Sequence, residues 1–153
     1  MSEKILYEGL ERQVRALLED ERDFVANAGN FAALVRYELP GVNWAGFYLA
    51  SPSGELVLGP FSGLPACTRI APGRGVCGSA ADKRQTLVVD DVNAFADHIA
   101  CDAASRSEIV VPIVRDGGLF GVFDVDSPLI GRFSETDRAG LERLVSVFSE
   151  SLG

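Results

Sequence analysis

The chain has 153 residues, 47% of them hydrophobic and 24% charged, with a formal net charge of −8 and a pI near 4.6. The size and composition are those of one globular domain, 1–153, rather than a disordered segment, and the acidic balance offers no clustered Lys and Arg to a nucleic-acid backbone. No apolar run reaches the roughly 18 residues of a bilayer span, and Met1-Ser2-Glu3-Lys4 lacks the basic segment and apolar core of a signal peptide, so no membrane partner is expected and the expected location is cytoplasmic.

In chain order, apolar residues recur three and four apart from Ile5 to Leu18 and again from Phe24 to Leu39 (Leu10, Val14, Leu17, Leu18; Phe31, Leu34, Val35), which predicts two amphipathic helices, the second stopped by Pro40-Gly41. The texture then changes to short runs rich in β-branched and aromatic residues, Val42–Leu49 and Glu55–Phe61, around the turn-like Ser51-Pro52-Ser53-Gly54, the pattern of a hairpin. Cys67–Ile70 reads as a brief strand and Pro72-Gly73-Arg74-Gly75 as a tight turn; lacking a Gly-Lys-Ser/Thr ending, it is not a phosphate loop. A small-residue helix is expected from Val76 to Lys83, a strand from Thr86 to Val89, and a long irregular segment from Asp90 to Ser107. Ile109–Val114 and Leu119–Val125, separated by Arg115-Asp116-Gly117-Gly118, form a second predicted hairpin. Ser134-Glu135-Thr136-Asp137 then opens a terminal helix whose buried stripe is Leu141, Leu144, Val145 and Phe148. The expected class is α+β: a mostly antiparallel sheet of about six strands, with the N- and C-terminal helices packed on one face.

Two groups of residues fall outside this packing logic. Cys67, Cys77 and Cys101 are an odd set in a chain large enough to bury its own core, so a structural disulfide framework is not expected and any bridge should be transient. A thiol can also be a small apolar filler, a reading that fits Cys77, between Val76 and Gly78, better than Cys101, in a polar stretch beside His98 and Asp102. The second group is acidic. Asp124 and Asp126 interrupt an apolar run two residues apart, hence on one face of a strand, and Glu108 at the start of the partner strand can reach the same face. Acids crowded in a partly dry site favour the protonated form; acids at strand ends that simply face water are the alternative.

The segments Asn43-Trp44-Ala45-Gly46-Phe47-Tyr48, Leu56 to Phe61, Ala66-Cys67-Thr68-Arg69-Ile70, Gly73 to Gly78, His98-Ile99-Ala100-Cys101-Asp102, Ser107-Glu108-Ile109-Val110 and Asp124-Val125-Asp126-Ser127, taken in order, resemble the free methionine-(R)-sulfoxide reductases, single-domain enzymes of the GAF fold. The resemblance runs from about Asn43 to Phe133. It implies reduction of free L-methionine (R)-S-oxide to methionine, with Cys101 as nucleophile, Cys67 as resolving thiol and Cys77 in an auxiliary or recycling role. It assigns protonation of the sulfoxide oxygen to Glu108 and Asp126 and a share in holding the ligand to Asp124. The chemistry is consistent: a thiolate attacks the sulfur, an acid protonates the departing oxygen, and the resulting sulfenic acid condenses with a second thiol to a disulfide that a dithiol reopens.

Implied partners are free methionine-(R)-sulfoxide, thioredoxin linked to NADPH as external reductant, and a second copy in a homodimer; no bound cofactor is expected. Trp44 and Tyr48, four apart on one strand face, are expected to wall the methyl-sulfur end of the ligand, with core packing as the alternative. Asp91 is a weaker candidate for the ligand's ammonium group. His98, the single histidine, could polarise a thiol or merely order a loop. A zinc site from Cys67, Cys77, Cys101 and His98 has enough ligand atoms, but without a Cys-x-x-Cys pair no metal is expected. A non-enzymatic GAF sensor of a small ligand and a thiol redox switch are the competing functions, since one fold hosts many activities.

Overall fold

The computed structural model describes residues 2–96 and 104–153; His98 and Cys101 lie outside the described residues. Two N-terminal helices, α1 (Glu3–Leu18) and α2 (Phe24–Glu38), precede strands β1 (Trp44–Ala50), β2 (Leu56–Ser62) and β3 (Arg69–Ile70). Helix α3 (Gly75–Lys83), strand β4 (Leu87–Val89), a 3-10 turn at Val92–Ala94, strands β5 (Ser107–Arg115) and β6 (Gly118–Ser127), and helix α4 (Glu135–Ser151) complete the order. The strands form one antiparallel sheet in the order β3-β2-β1-β6-β5-β4, the α+β arrangement expected from the sequence.

Strand alternation splits the interior into two layers. Ala45, Phe47, Ile109, Val111, Ile113, Phe123 and Val125 point to the side covered by the terminal helices, where Phe31 and Phe148 pack on Phe47 and Phe123. The intervening residues Trp44, Tyr48, Val110 and Val122 point to the other side and meet Val76, Cys77 and Ala80 of α3. This period of two is why the acids at 124 and 126 cannot share a face with Phe123 and Val125.

The termini of the elements follow local chemistry. Ser2, Asp23 and Ser134 cap α1, α2 and α4, and Ser134 and Asp137 bond each other's backbone N–H in a capping box. The β5–β6 hairpin turns on Asp116 and Gly117, both with positive φ (51° and 78°), the backbone of a two-residue type I′ turn whose twist suits paired strands. Strands β5 and β6 run further than their apolar cores suggest, because Ser107 pairs with Ser127 and Glu108 with Asp126. Polar side chains break the hydrophobic pattern there while the backbone ladder continues. The segment after β4 contains the 3-10 turn, with Asp91 accepting a bond from the Asn93 amide at 3.1 Å.

Candidate functional site

Four neighbouring strands set the acids in register. Val89 pairs with Glu108, Glu108 with Asp126 and Asp126 with Trp44, so one row crosses β4, β5, β6 and β1; the row two residues along runs Val110, Asp124, Gly46. Glu108, Asp124 and Asp126 therefore converge between the sheet and α3, as the strand alternation predicts. Cys77, in the first turn of α3, is buried against them, its Sγ donating to Glu108 Oε2 at 3.9 Å. A tight turn brings α3 this close. The Arg74 amide bonds the Ala71 carbonyl at 3.1 Å, and a Cβ on Gly78 would sit 2.9 Å from the carbonyl carbon of Gly73, so only glycine lets the turn lie on the helix.

The largest charges acting on the buried acid are those of its acidic neighbours. Asp124 is 5% exposed, and among the described residues its Oδ1 receives no hydrogen bond when the neighbouring carboxyls act as acceptors only. Burial first, then the charges of Asp126 and Glu108, hold its carboxyl well above the ordinary aspartate range, and in the protonated form it hydrogen-bonds both neighbours. The Cys77 thiol is likewise pushed up, chiefly by burial and next by Asp124, Glu108 and Asp126, so Cys77 is a protonated thiol at neutral pH and not an activated nucleophile. The Tyr48 hydroxyl is raised by burial and then by Asp124, Cys77, Asp126 and Glu108.

Trp44 and Tyr48 do share a face, with near-parallel rings 6.1 Å apart, and both are buried. Trp44 Nε1 donates to the Leu64 carbonyl at 3.0 Å, and the Tyr48 hydroxyl to the Cys67 carbonyl at 2.9 Å. That second bond ties the segment leading into β3 to the acid cluster's aromatic wall. Cys67 itself is half-buried and disulfide-bonded, whereas Cys77 is a free thiol. Asp91 is committed to capping the 3-10 turn beyond β4.

Two contributors escaped the sequence reading. Phe61 stacks on Trp44 with ring centroids 5.3 Å apart and lengthens the aromatic wall. Gly46, opposite Phe61 and beside Asp124, gives the wall its room: a Cβ there would strike Phe61 and lie 2.7 Å from Trp44 Cη2. A glycine inside an aromatic strand is itself a signal of close approach.

One ligand atom each from Cys77, Glu108 and Asp124 lie within 4.8 Å of one another, a set able to hold a metal ion. The same set can also donate protons: a carboxyl and a thiol, both pushed toward their protonated forms by burial, lie beside the half-buried carboxyls of Glu108 and Asp126.

Residues 28–152 match the GAF domain family. The chain is 46% identical over 152 residues, covering 99% of this chain and 92% of the relative, to the free methionine-R-sulfoxide reductase of Escherichia coli. To that of Saccharomyces cerevisiae it is 38% identical over 158 residues, covering 99% and 88%. The X-ray structure of free methionine-R-sulfoxide reductase from Neisseria meningitidis in complex with its substrate superposes with a TM-score of 0.95 at 46% identity, covering 99% of this chain and 91% of that one. With Cys77 and the acids Glu108, Asp124 and Asp126 meeting at one place, the chain belongs to the free methionine-(R)-sulfoxide reductase family of the GAF fold.

Proposed function

We propose that this protein reduces free L-methionine (R)-S-oxide to L-methionine in the cytoplasm. The observation that carries the reading is the convergence of Glu108 and Asp126 on the buried Asp124, whose carboxyl is pushed up by burial and by its neighbours' charges. A sulfoxide oxygen becomes strongly basic as its bond to sulfur breaks, and a site whose burial and crowded charges favour the protonated form of a carboxyl can hydrogen-bond and protonate it. The aromatic wall of Trp44 and Tyr48 suits the apolar methyl-sulfur end, and the spare negative charge of the acids suits the ammonium group. Asp91 stands as a more distant candidate for that ammonium.

In the proposed cycle the Cys101 thiolate attacks the sulfoxide sulfur and Glu108 or Asp126 gives a proton to the oxygen. Methionine leaves, and Cys101 retains the oxygen as a sulfenic acid. The Cys67 thiol condenses with it, releasing water and forming a disulfide, and a dithiol such as reduced thioredoxin restores both thiols while itself becoming a disulfide. That Cys67 is a residue able to enter a disulfide in this fold supports its resolving role. Cys77, protonated and facing the acids, serves as an auxiliary donor. The electrons come from thiols, so no bound cofactor is required, and the working unit is a homodimer.

The test uses purified protein with thioredoxin, its reductase and NADPH. Addition of the R epimer should consume NADPH and the S epimer should not; no consumption with the R epimer defeats the assignment. In single-turnover form, Cys101→Ser should release no methionine, whereas Cys67→Ser should release about one per chain and then stop, because the sulfenic acid chemistry needs one thiol to form and a second to clear. Equal loss of the first turnover in both variants overturns the assigned roles.

A further inference from the structure

We propose that Cys77, Glu108 and Asp124 form a binding site for a thiophilic divalent cation such as Zn²⁺, and that the cation and the sulfoxide substrate exclude one another there. The donor atoms come from three elements, α3, β5 and β6, and lie within 4.8 Å of one another. The Cys77 Sγ to Glu108 Oε2 distance of 3.9 Å is close to what two ligands about 2.0 and 2.3 Å from one zinc would span in a tetrahedron. One sulfur and two carboxylate oxygens leave a coordination position open, the pattern of an exchangeable rather than a structural site. This set differs from the thiol-rich one weighed on the sequence, and no ligand spacing along the chain reveals it.

An acidic cluster beside a thiol is not by itself a cation site. The independent observation is Asp124: it is 95% buried by its 5% exposure, it reaches into the cluster, and when the neighbouring carboxyls are ionised its Oδ1 has no hydrogen-bond donor among the described residues. An oxygen acceptor enclosed without a donor is a position at which a cation gains most, because no water or amide must be displaced from it. The contrast with Asp137, the other buried aspartate among the described residues, is direct, since that one is surrounded by donors. On binding, sulfur–metal and oxygen–metal bonds replace the Cys77 S–H and Asp124 O–H bonds and both protons pass to buffer, with no change of oxidation state.

The binding stands without the reductase reading; the exclusion of substrate rests on it. The experiment titrates full-length, fully reduced protein with Co²⁺, read by the thiolate-to-cobalt charge-transfer absorption, and with Zn²⁺ by equilibrium dialysis. Expected are one equivalent per chain and retention of the signal in the Cys67→Ser/Cys101→Ser double variant. Cys77→Ser should abolish the charge-transfer band. Asp124→Asn, close to isosteric and checked for native circular dichroism, should weaken affinity by more than the roughly 10–100-fold typical of losing an outer-shell partner. Absence of stoichiometric binding, survival of the band in Cys77→Ser, or its loss in the Cys67/Cys101 double variant would overturn the site. Free methionine-(R)-sulfoxide should raise the apparent Zn²⁺ dissociation constant; binding that is indifferent to the sulfoxide in a preparation that turns it over would overturn the exclusion alone.

Discussion

Asp137 and Asp124 are both buried, at 1% and 5% exposure, and their surroundings are opposite. Asp137 accepts from the Tyr7 hydroxyl at 2.7 Å, from Arg132 Nη1 at 2.9 Å and from the Ser134 amide at 2.8 Å, so a full set of donors replaces water. Asp124 has two acids and a thiol for neighbours and an oxygen with no donor. The first arrangement fastens the start of α4 to α1 and to the chain before it; the second leaves a carboxyl that only a proton or a cationic or proton-accepting ligand can satisfy. The same residue type is structural on one side of the sheet and chemical on the other, and the difference lies in which partners the fold supplies.

The largest effect expected is on the structural side. Asp137→Ala strands the Arg132 guanidinium, which is 15% exposed, removes the capping box and leaves the Tyr7 hydroxyl without its acceptor. Removing one partner of such a buried pair costs about 3–5 kcal/mol, readable as a lower urea midpoint with an unchanged slope. The molecules still folded should turn over normally. A cost under about 1 kcal/mol, the scale of an exposed pair, would erase the distinction between the two aspartates.

Glu108→Gln tests the other side. Turnover should fall by about 10²-fold, the lower end of what a general acid contributes, because Asp126 directly across the ladder and Asp124 remain as acids. The thermal midpoint should hold steady or rise. Unchanged turnover with a clear loss of stability would move Glu108 into the same class as Asp137.

Both aspartates were visible in the sequence, but not equally well. Asp124 and Asp126 stood out because they broke an apolar run with a period of two, and strand geometry then required a common face, where Glu108 meets them by hairpin register. Ser134 to Asp137 announced a helix start for the equally local reason of capping. Legibility ended where partners lie far apart along the chain. Nothing in the sequence says that Tyr7 reaches Asp137, that the Tyr48 hydroxyl bonds the Cys67 carbonyl, or that Gly46 clears space for Trp44 against Phe61. The apolar runs that mark β5 and β6 stop at Ile109 and Val125, short of the strand ends, for a related cause: pattern tracks side chains, whereas the ladder is made by backbone groups indifferent to them. The ranking of the thiols came from the resemblance, since a cysteine's neighbours in sequence do not reveal whether acids or donors surround its sulfur.

The smallest effect is also the one of opposite sign. If Asp124 is kept for chemistry at the expense of stability, Asp124→Asn should stabilise the fold, by roughly 0.5–2 kcal/mol as is common for substitutions that relieve functional strain, while lowering turnover. Its pH dependence follows from the raised carboxyl. At a pH below the ordinary aspartate range the group is protonated both folded and unfolded, and parent and variant should differ least. As pH rises, the unfolded chain's aspartate ionises freely while the folded one resists, so the folded state binds more protons and the parent loses stability with increasing pH. The advantage of the Asn variant should therefore grow from acid to neutral pH and level off only above the folded group's own titration. Denaturant midpoints of the two proteins across that range decide the matter: a gap that narrows on going to neutral pH would mean that Asp124 is stabilised as a carboxylate, and that the contrast with Asp137 is one of position and not of chemistry.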